Sequence, residues 1–174
     1  YLKTMKLTRR TKLKEIAHLL TEERIKEILP LVAEFPLKKS LFFCTCGEFC
    51  RVMDGDEEFI NSEIIGKEKK AVRYFGKLKR LRNEMETINK FMNLNKRKET
   101  TEEKQARQGV SFPTAQQMIL LVVQKAFYLK SLTEAEKVPF SNYLILHQSQ
   151  TAETKFQDNY NKIMQRKYEN NRRS

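Results

Sequence analysis

The chain has 174 residues, with 40% apolar and 32% charged side chains, 5 glycines, 4 prolines and no tryptophan. That length fits one domain of ordinary size, and so few turn residues exclude an all-β sandwich or barrel, which needs a turn about every 8–12 residues. The apolar content excludes a disordered chain, and 34 Lys+Arg against 22 Asp+Glu leave a net charge of +12, which suits a polyanionic or acidic partner.

The charge is segregated along the chain. Residues 1–20 hold six cations, Lys3, Lys6, Arg9, Arg10, Lys12 and Lys14, against Glu15. Residues 48–66 hold Glu48, Asp54, Asp56, Glu57, Glu58 and Glu63 against Arg51. Residues 67–98 carry twelve cations and three anions, and the segment 162–174 is again basic. Three basic segments around one acidic segment fit either a nucleic-acid face or head-to-tail packing of identical subunits. The basic start is followed by no apolar core of signal length. The longest apolar run, Met118 to Val123, spans six residues, far below the ~20 that cross a bilayer. An odd cysteine count without an export signal leads to the expectation of a reducing intracellular compartment or an assembled particle.

Taken in chain order, a first helix is predicted from about Thr11 to Leu20, with Leu13, Ile16, Ala17 and Leu20 at helical spacing. Thr21 should cap a second, whose first turn carries Glu22 and Glu23 and whose apolar face is Ile25, Ile28, Leu29 and Val32. Pro30 should kink or end it. Residues 37–66 read as a small hairpin or irregular excursion, with Leu41 to Cys46 and Phe49 to Met53 as short strands. The rival reading is continued helix capped by Ser40. Asp54-Gly55-Asp56 marks a turn on either reading.

The third helix, about 67–93, is the clearest element. Ala71, Tyr74, Leu78, Leu81, Met85, Ile88 and Met92 alternate three and four apart, a heptad seam. The seam suits a helix buried along one face of its own domain; a coiled coil is the sharper alternative. Residues 95–112 read as a charged linker. Thr114 and Gln117 have capping-box spacing and open a fourth helix. Its run of apolar residues predicts burial on most sides, with Leu121 fully inside. Thr133 and Glu136 should open a short turn before Pro139. Ser141 should cap a long final helix to about Tyr168, with Leu144, Ile145, Ala152, Phe156, Tyr160, Ile163 and Met164 on its buried side. Residues 170–174 should fray.

Few constellations point to chemistry. Cys44, Cys46 and Cys50 fall within seven residues and could supply three thiolates to zinc. The spacing lacks paired CxxC, and a fourth ligand would have to be His18, His147, a carboxylate or another chain, so packing thiols are the expectation. Asp54, Asp56 and Glu58 alternate as calcium-loop ligands do, but Phe59 stands where the loop glycine belongs and Ile65 where the bidentate glutamate belongs. His147 and Ser149 sit two apart on a helix and point to different sides. With no phosphate loop, nucleophile elbow or convergent acid–base pair, neither an enzyme nor a cofactor is expected.

The third helix offers the main predicted surface. Lys70, Arg73, Lys77 and Arg80 recur three and four apart as one cationic stripe, flanked by Lys79 and Arg82, with Arg9 and Arg10 of the basic arm adding to it. The acidic counterpart for a protein partner is Asp54, Asp56, Glu57 and Glu58. The reading that follows is one all-α domain over 1–174, a bundle of four to five helices with a basic arm at about 1–10. Its expected function is a non-enzymatic structural or assembly subunit of a large complex, such as a virion or other nucleoprotein particle. Its partners would be other protein subunits, copies of itself among them. The alternative is a sequence-nonspecific nucleic-acid-binding protein or regulator.

Overall fold

Side-chain caps decide where most helices start, and the computed structural model shows them over residues 11–16, 21–93, 105 and 113–173. Helix α1 covers Leu13–Ile16 and α2 Glu22–Ile28. The Thr21 hydroxyl accepts from the Arg24 amide at the start of α2. Pro30 marks the end of this helix, as expected: the chain tightens into a 3-10 turn, Leu29–Leu31, and ends at the extended Val32. The predicted basic arm, including Arg9 and Arg10, lies outside the described residues, as do His18 and the charged linker apart from Gln105.

The hairpin expected in 37–66 is replaced by helix. Ser40 caps a 3-10 turn, Leu41–Phe43. Thr45 and Glu48 then close a capping box and open α3, Cys46–Met53. Asp56 caps α4, Glu57–Phe59, which runs on into a π turn, Ile60–Ile64. The aromatic run 41–46 has the composition of a strand, but its polar punctuation at Ser40 and Thr45 supplies two N-caps, and an N-cap offers acceptors that only a helix start uses. Strand-like pairing survives as two isolated bridges, Lys12 with Lys70 and Thr45 with Pro139.

Helix α5, Ala71–Asn93, is the predicted long helix. Its seam faces two hydrophobic clusters. Ala71 and Phe75 close over Ile16, Ile28, Leu29 and Val32. Leu81 and Ile88 enter the larger cluster with Leu41, Phe49, Phe59 and Ile65, while the half-buried Tyr74 and Leu78 touch both. The seam is therefore filled from within the chain. Gly76 permits a close approach: its carbonyl accepts from the Phe35 amide at 3.2 Å, and a Cβ there would collide with the Ala33 carbonyl and the Phe35 ring.

Helix α6, Ala115–Ala126, opens with the predicted Thr114–Gln117 capping box. Helix α7, Leu132–Glu136, is capped by Ser131 rather than Thr133. Helix α8, Phe140–Arg173, starts directly after Pro139, one residue before the expected cap Ser141. The bridge at Thr45 ties the starts of α3 and α8 together: Cys46 N–H donates to Val138 O and Phe140 N–H to Cys44 O, both 2.8 Å. This puts Phe49 and Phe140 in stacked contact, centroids 3.7 Å apart.

Two burial expectations are corrected. Of the run Met118 to Val123, only Ile119 and Val123 are fully buried; Leu121 is 41% exposed and Met118 also lies in solvent. A twelve-residue helix turns its apolar residues through all directions, and the described neighbours of α6 fully bury only Ile119 and Val123. On α8, Tyr143 and Leu144 are buried, but Ile145, Phe156, Tyr160 and Ile163 are exposed. From Gln148 to Glu169 every residue is exposed except the half-buried Thr151 and Met164, because α8 leaves the core formed by the described residues.

Two stability outcomes follow. Ile119→Ala should cost ~2–5 kcal/mol through lost transfer energy and a cavity, whereas Leu121→Ala should cost less than ~1 kcal/mol; urea melts of the two variants check the order, and equal losses would contradict the half-open face. Gly76→Ala gains about 1 kcal/mol in helix propensity. Overpacking against a backbone carbonyl costs ~1–3 kcal/mol or more, so the variant should melt lower than the parent; a higher melting temperature would refute the close approach.

Candidate interaction surfaces

The cationic stripe does not form the continuous free face that its spacing predicts. Lys77 is half-buried, pairs with Glu68 at 2.6 Å and donates to the Ile65 carbonyl. Lys79 donates to the Val32 carbonyl at 2.9 Å. Arg80 reaches Glu84 at 3.0 Å and Glu34 at 3.4 Å. These three hold the 32–34 and 65–68 segments onto α5. Lys70, Arg73 and Arg82 are exposed and make no ion pair among the described residues.

Glu84 is the one buried charged residue among those described. Its carboxylate accepts from Ser40 Oγ at 2.8 Å, Leu41 N–H at 2.9 Å and Arg80 Nε at 3.0 Å. A buried carboxylate with a cation and two neutral donors has its charge compensated, so Glu84 serves as the anchor of the 3-10 turn. The cleft beside it is lined by Phe42, Phe43, Arg80 and Glu84. Both of its carboxylates, Glu34 and Glu84, are engaged by Arg80, which leaves no paired acid and base there.

The backbone creates a basic juxtaposition that sequence order hides. Leu13 N–H donates to Lys69 O at 2.9 Å, and Ala71 N–H to Thr11 O at 3.0 Å. Lys12 and Lys14 are thereby brought beside Lys69, Lys70 and Arg73, all exposed.

The predicted acidic surface is partly consumed. Asp54 accepts from Gln116 Nε2 at 2.6 Å. Asp56 accepts from the Phe59 amide and pairs with Arg51 at 2.7 Å; the amide and then the guanidinium hold its carboxyl below the usual range. Arg51 also lies over the Phe59 ring, 4.2 Å from its centroid. Glu57 and Glu58 are exposed and form no ion pair among the described residues. Glu48, inside the same segment, faces inward. Burial alone would raise its carboxyl, but the Lys39 ammonium and the Thr45 amide outweigh that and hold it low.

The three cysteines are free and buried, and no group of three metal-ligating side chains occurs among the described residues. Cys44 Sγ turns to the Ser40 carbonyl and Cys50 Sγ to the Gln116 carbonyl. Burial pushes the thiols up, Cys44 to about 11, Cys46 to about 12 and Cys50 to about 11. The nucleophilic form is the thiolate, so burial holds these thiols in the less reactive protonated form.

Much of what sequence reasoning assigned to the core on α8 is exposed. On α8, Ala152, Phe156, Tyr160, Met164 and Tyr168 recur every four residues, with Ile163 beside them. Phe156 is 68%, Tyr160 49% and Ile163 52% exposed. The spacing was readable; the missing signal was the shortage of other apolar segments to cover it. Met118, Leu121, Phe127 and Leu132 at α6 and α7 are also exposed, and between the two helices Tyr128 sits at φ 52° and is 93% exposed.

Comparison with family models, curated proteins and solved structures finds no match. No described helix is long and apolar enough to cross a membrane.

At mildly alkaline pH, iodoacetamide should leave Cys44, Cys46 and Cys50 unlabelled in the native protein and label all of them in guanidinium. Rapid native labelling, read by intact mass, would show that the thiol cluster is open to solvent.

Proposed function

We propose that the protein is a non-enzymatic assembly subunit of a larger particle, such as a virion or other nucleoprotein particle, which contacts other protein subunits, its own copies included, through α8. The observation that carries this reading is the aromatic row of α8, exposed on a helix that continues well past the core. Large exposed apolar patches on soluble proteins mark interaction sites. The consumption of Lys77, Lys79 and Arg80 by internal partners weighs against a nucleic-acid stripe on α5 as the main function.

A second reading, contact with a nucleic-acid backbone, is favoured by the basic juxtaposition of Lys12, Lys14, Lys69, Lys70 and Arg73. Cations grouped in this way bind phosphates through counterion release, with strong salt dependence and little sequence preference.

Sedimentation of the purified chain, free of nucleic acid, tests the main reading. Larger species should grow with protein concentration. The double variant Phe156→Glu, Tyr160→Glu should lose them while its melting temperature stays close to the parent's, since exposed substitutions usually shift stability by only about ±0.5 kcal/mol. A parent that remains monomeric throughout, yet binds a random duplex in a manner abolished by Lys70→Glu with Arg73→Glu, would transfer the function to the second reading.

A further inference from the structure

We infer that α8 pairs antiparallel with α8 of a second copy, centred on Tyr160. The inference rests on the assembly reading and deepens it by naming the partner, direction and register.

Three observations converge on this pairing. The first is charge. The nine residues before Tyr160 carry Glu153 and Asp158 against Lys155, whereas the nine after it carry Lys162, Arg166 and Lys167 against Glu169. An antiparallel pair sets the acidic half of each copy against the basic half of the other. A parallel pair would set basic against basic.

The second observation is position. Glu153 and Lys167 lie seven residues on either side of Tyr160, so both stand on its face of the helix. In the antiparallel pair each Glu153 meets the other copy's Lys167, and the two-fold axis makes the contact twice. In a parallel pair Glu153 would meet Glu153.

The third observation is the apolar pattern. Phe156 and Met164 lie four residues on either side of Tyr160, so in the antiparallel pair they come level with each other and flank the central Tyr160 with apolar side chains. The exposed Phe156, Tyr160 and Ile163, with the half-buried Met164, supply the apolar and aromatic surface for the contact.

Charge-swap variants of the full chain test the register, with sedimentation as the readout. Glu153→Lys alone and Lys167→Glu alone should each raise the dissociation constant about tenfold, because two exposed ion pairs become repulsions. The double variant Glu153→Lys, Lys167→Glu should restore the parent's value, since the pairs regain opposite signs. Phe156→Ala should weaken association at least tenfold, as loss of an aromatic anchor does. If the parent assembles and neither single change nor Phe156→Ala weakens it, the α8 pairing is overturned while the assembly reading stands on another surface, such as the exposed residues of α6 and α7. Weakening by the single changes with no rescue in the double variant overturns the antiparallel register. If the charge variants leave sedimentation unchanged but alter binding of a random-sequence duplex, the face belongs to a polyanion and the pairing falls. A parent that is monomeric at every concentration overturns both.

Discussion

Helix α5 has to close two hydrophobic clusters at once, and the rest of the described structure is arranged around that requirement. Its first turns, at Ala71 and Phe75, seal the small cluster built from α1, α2 and the 3-10 turn at Leu29–Leu31. Its middle, at Leu81 and Ile88, seals the large one. A single helix serving two clusters needs its neighbours held in register, and polar contacts do this. Glu84 fixes Ser40 and Leu41, Lys77 fixes Ile65 and Glu68, and Lys79 and Arg80 fix residues 32–34. The Gly76 carbonyl adds a backbone bond to Phe35. Several cations of this basic helix are therefore structural, because long side chains can cover apolar surface while their charged ends reach carbonyls and carboxylates.

This explains what the sequence disclosed and what it did not. Local signals were legible. Thr21, Ser40 and Thr114 cap as their residue types require, and the 3,4 alternation from Ala71 to Met92 marks one continuous helix. Residues 41–53 misled because β-branched, aromatic and cysteine residues fit a buried surface of either kind, and the capping box at Thr45–Glu48 outweighed that preference. The stripe Lys70, Arg73, Lys77, Arg80 has helical spacing, yet periodicity cannot say which residues of other segments lie opposite. Glu34 and Glu68, distant and adjacent in sequence respectively, answer two of its four cations.

Burial was the least legible property. Apolar spacing identifies a face but not what covers it. Leu121 and Phe156 both sit in apolar patterns that would be core in a chain with more such segments. Here the large cluster is already closed by Phe49, Phe140, Ile119 and Val123 around α5, so α6 keeps one apolar side open and α8 keeps nearly its whole distal length open. Part of the excess lies on α6 and α8, and part in the turn at Phe127 and Tyr128.

The distal part of α8 adds a thermodynamic argument. From Gln148 to Arg173 it extends about 40 Å at 1.5 Å per residue. Most helical stability in proteins comes from packing an amphipathic face, and from Gln148 to Glu169 this helix leaves almost every side chain in solvent. Within this segment the chain supplies side-chain to backbone and side-chain to side-chain bonds, Thr154 to Gln150, Gln157 to Asn161 and Gln165 to Glu169, which are weak local supports. A partner that covers the aromatic row therefore does two things together: it removes apolar surface from water and it stabilises the helix that presents that surface. Under the proposed assembly, ordering and association would be one equilibrium, and its strength would depend on helix propensity along α8 as well as on the residues that touch. Polar positions outside the apolar row, such as Gln150 or Asn159, would then influence assembly through the helix they belong to.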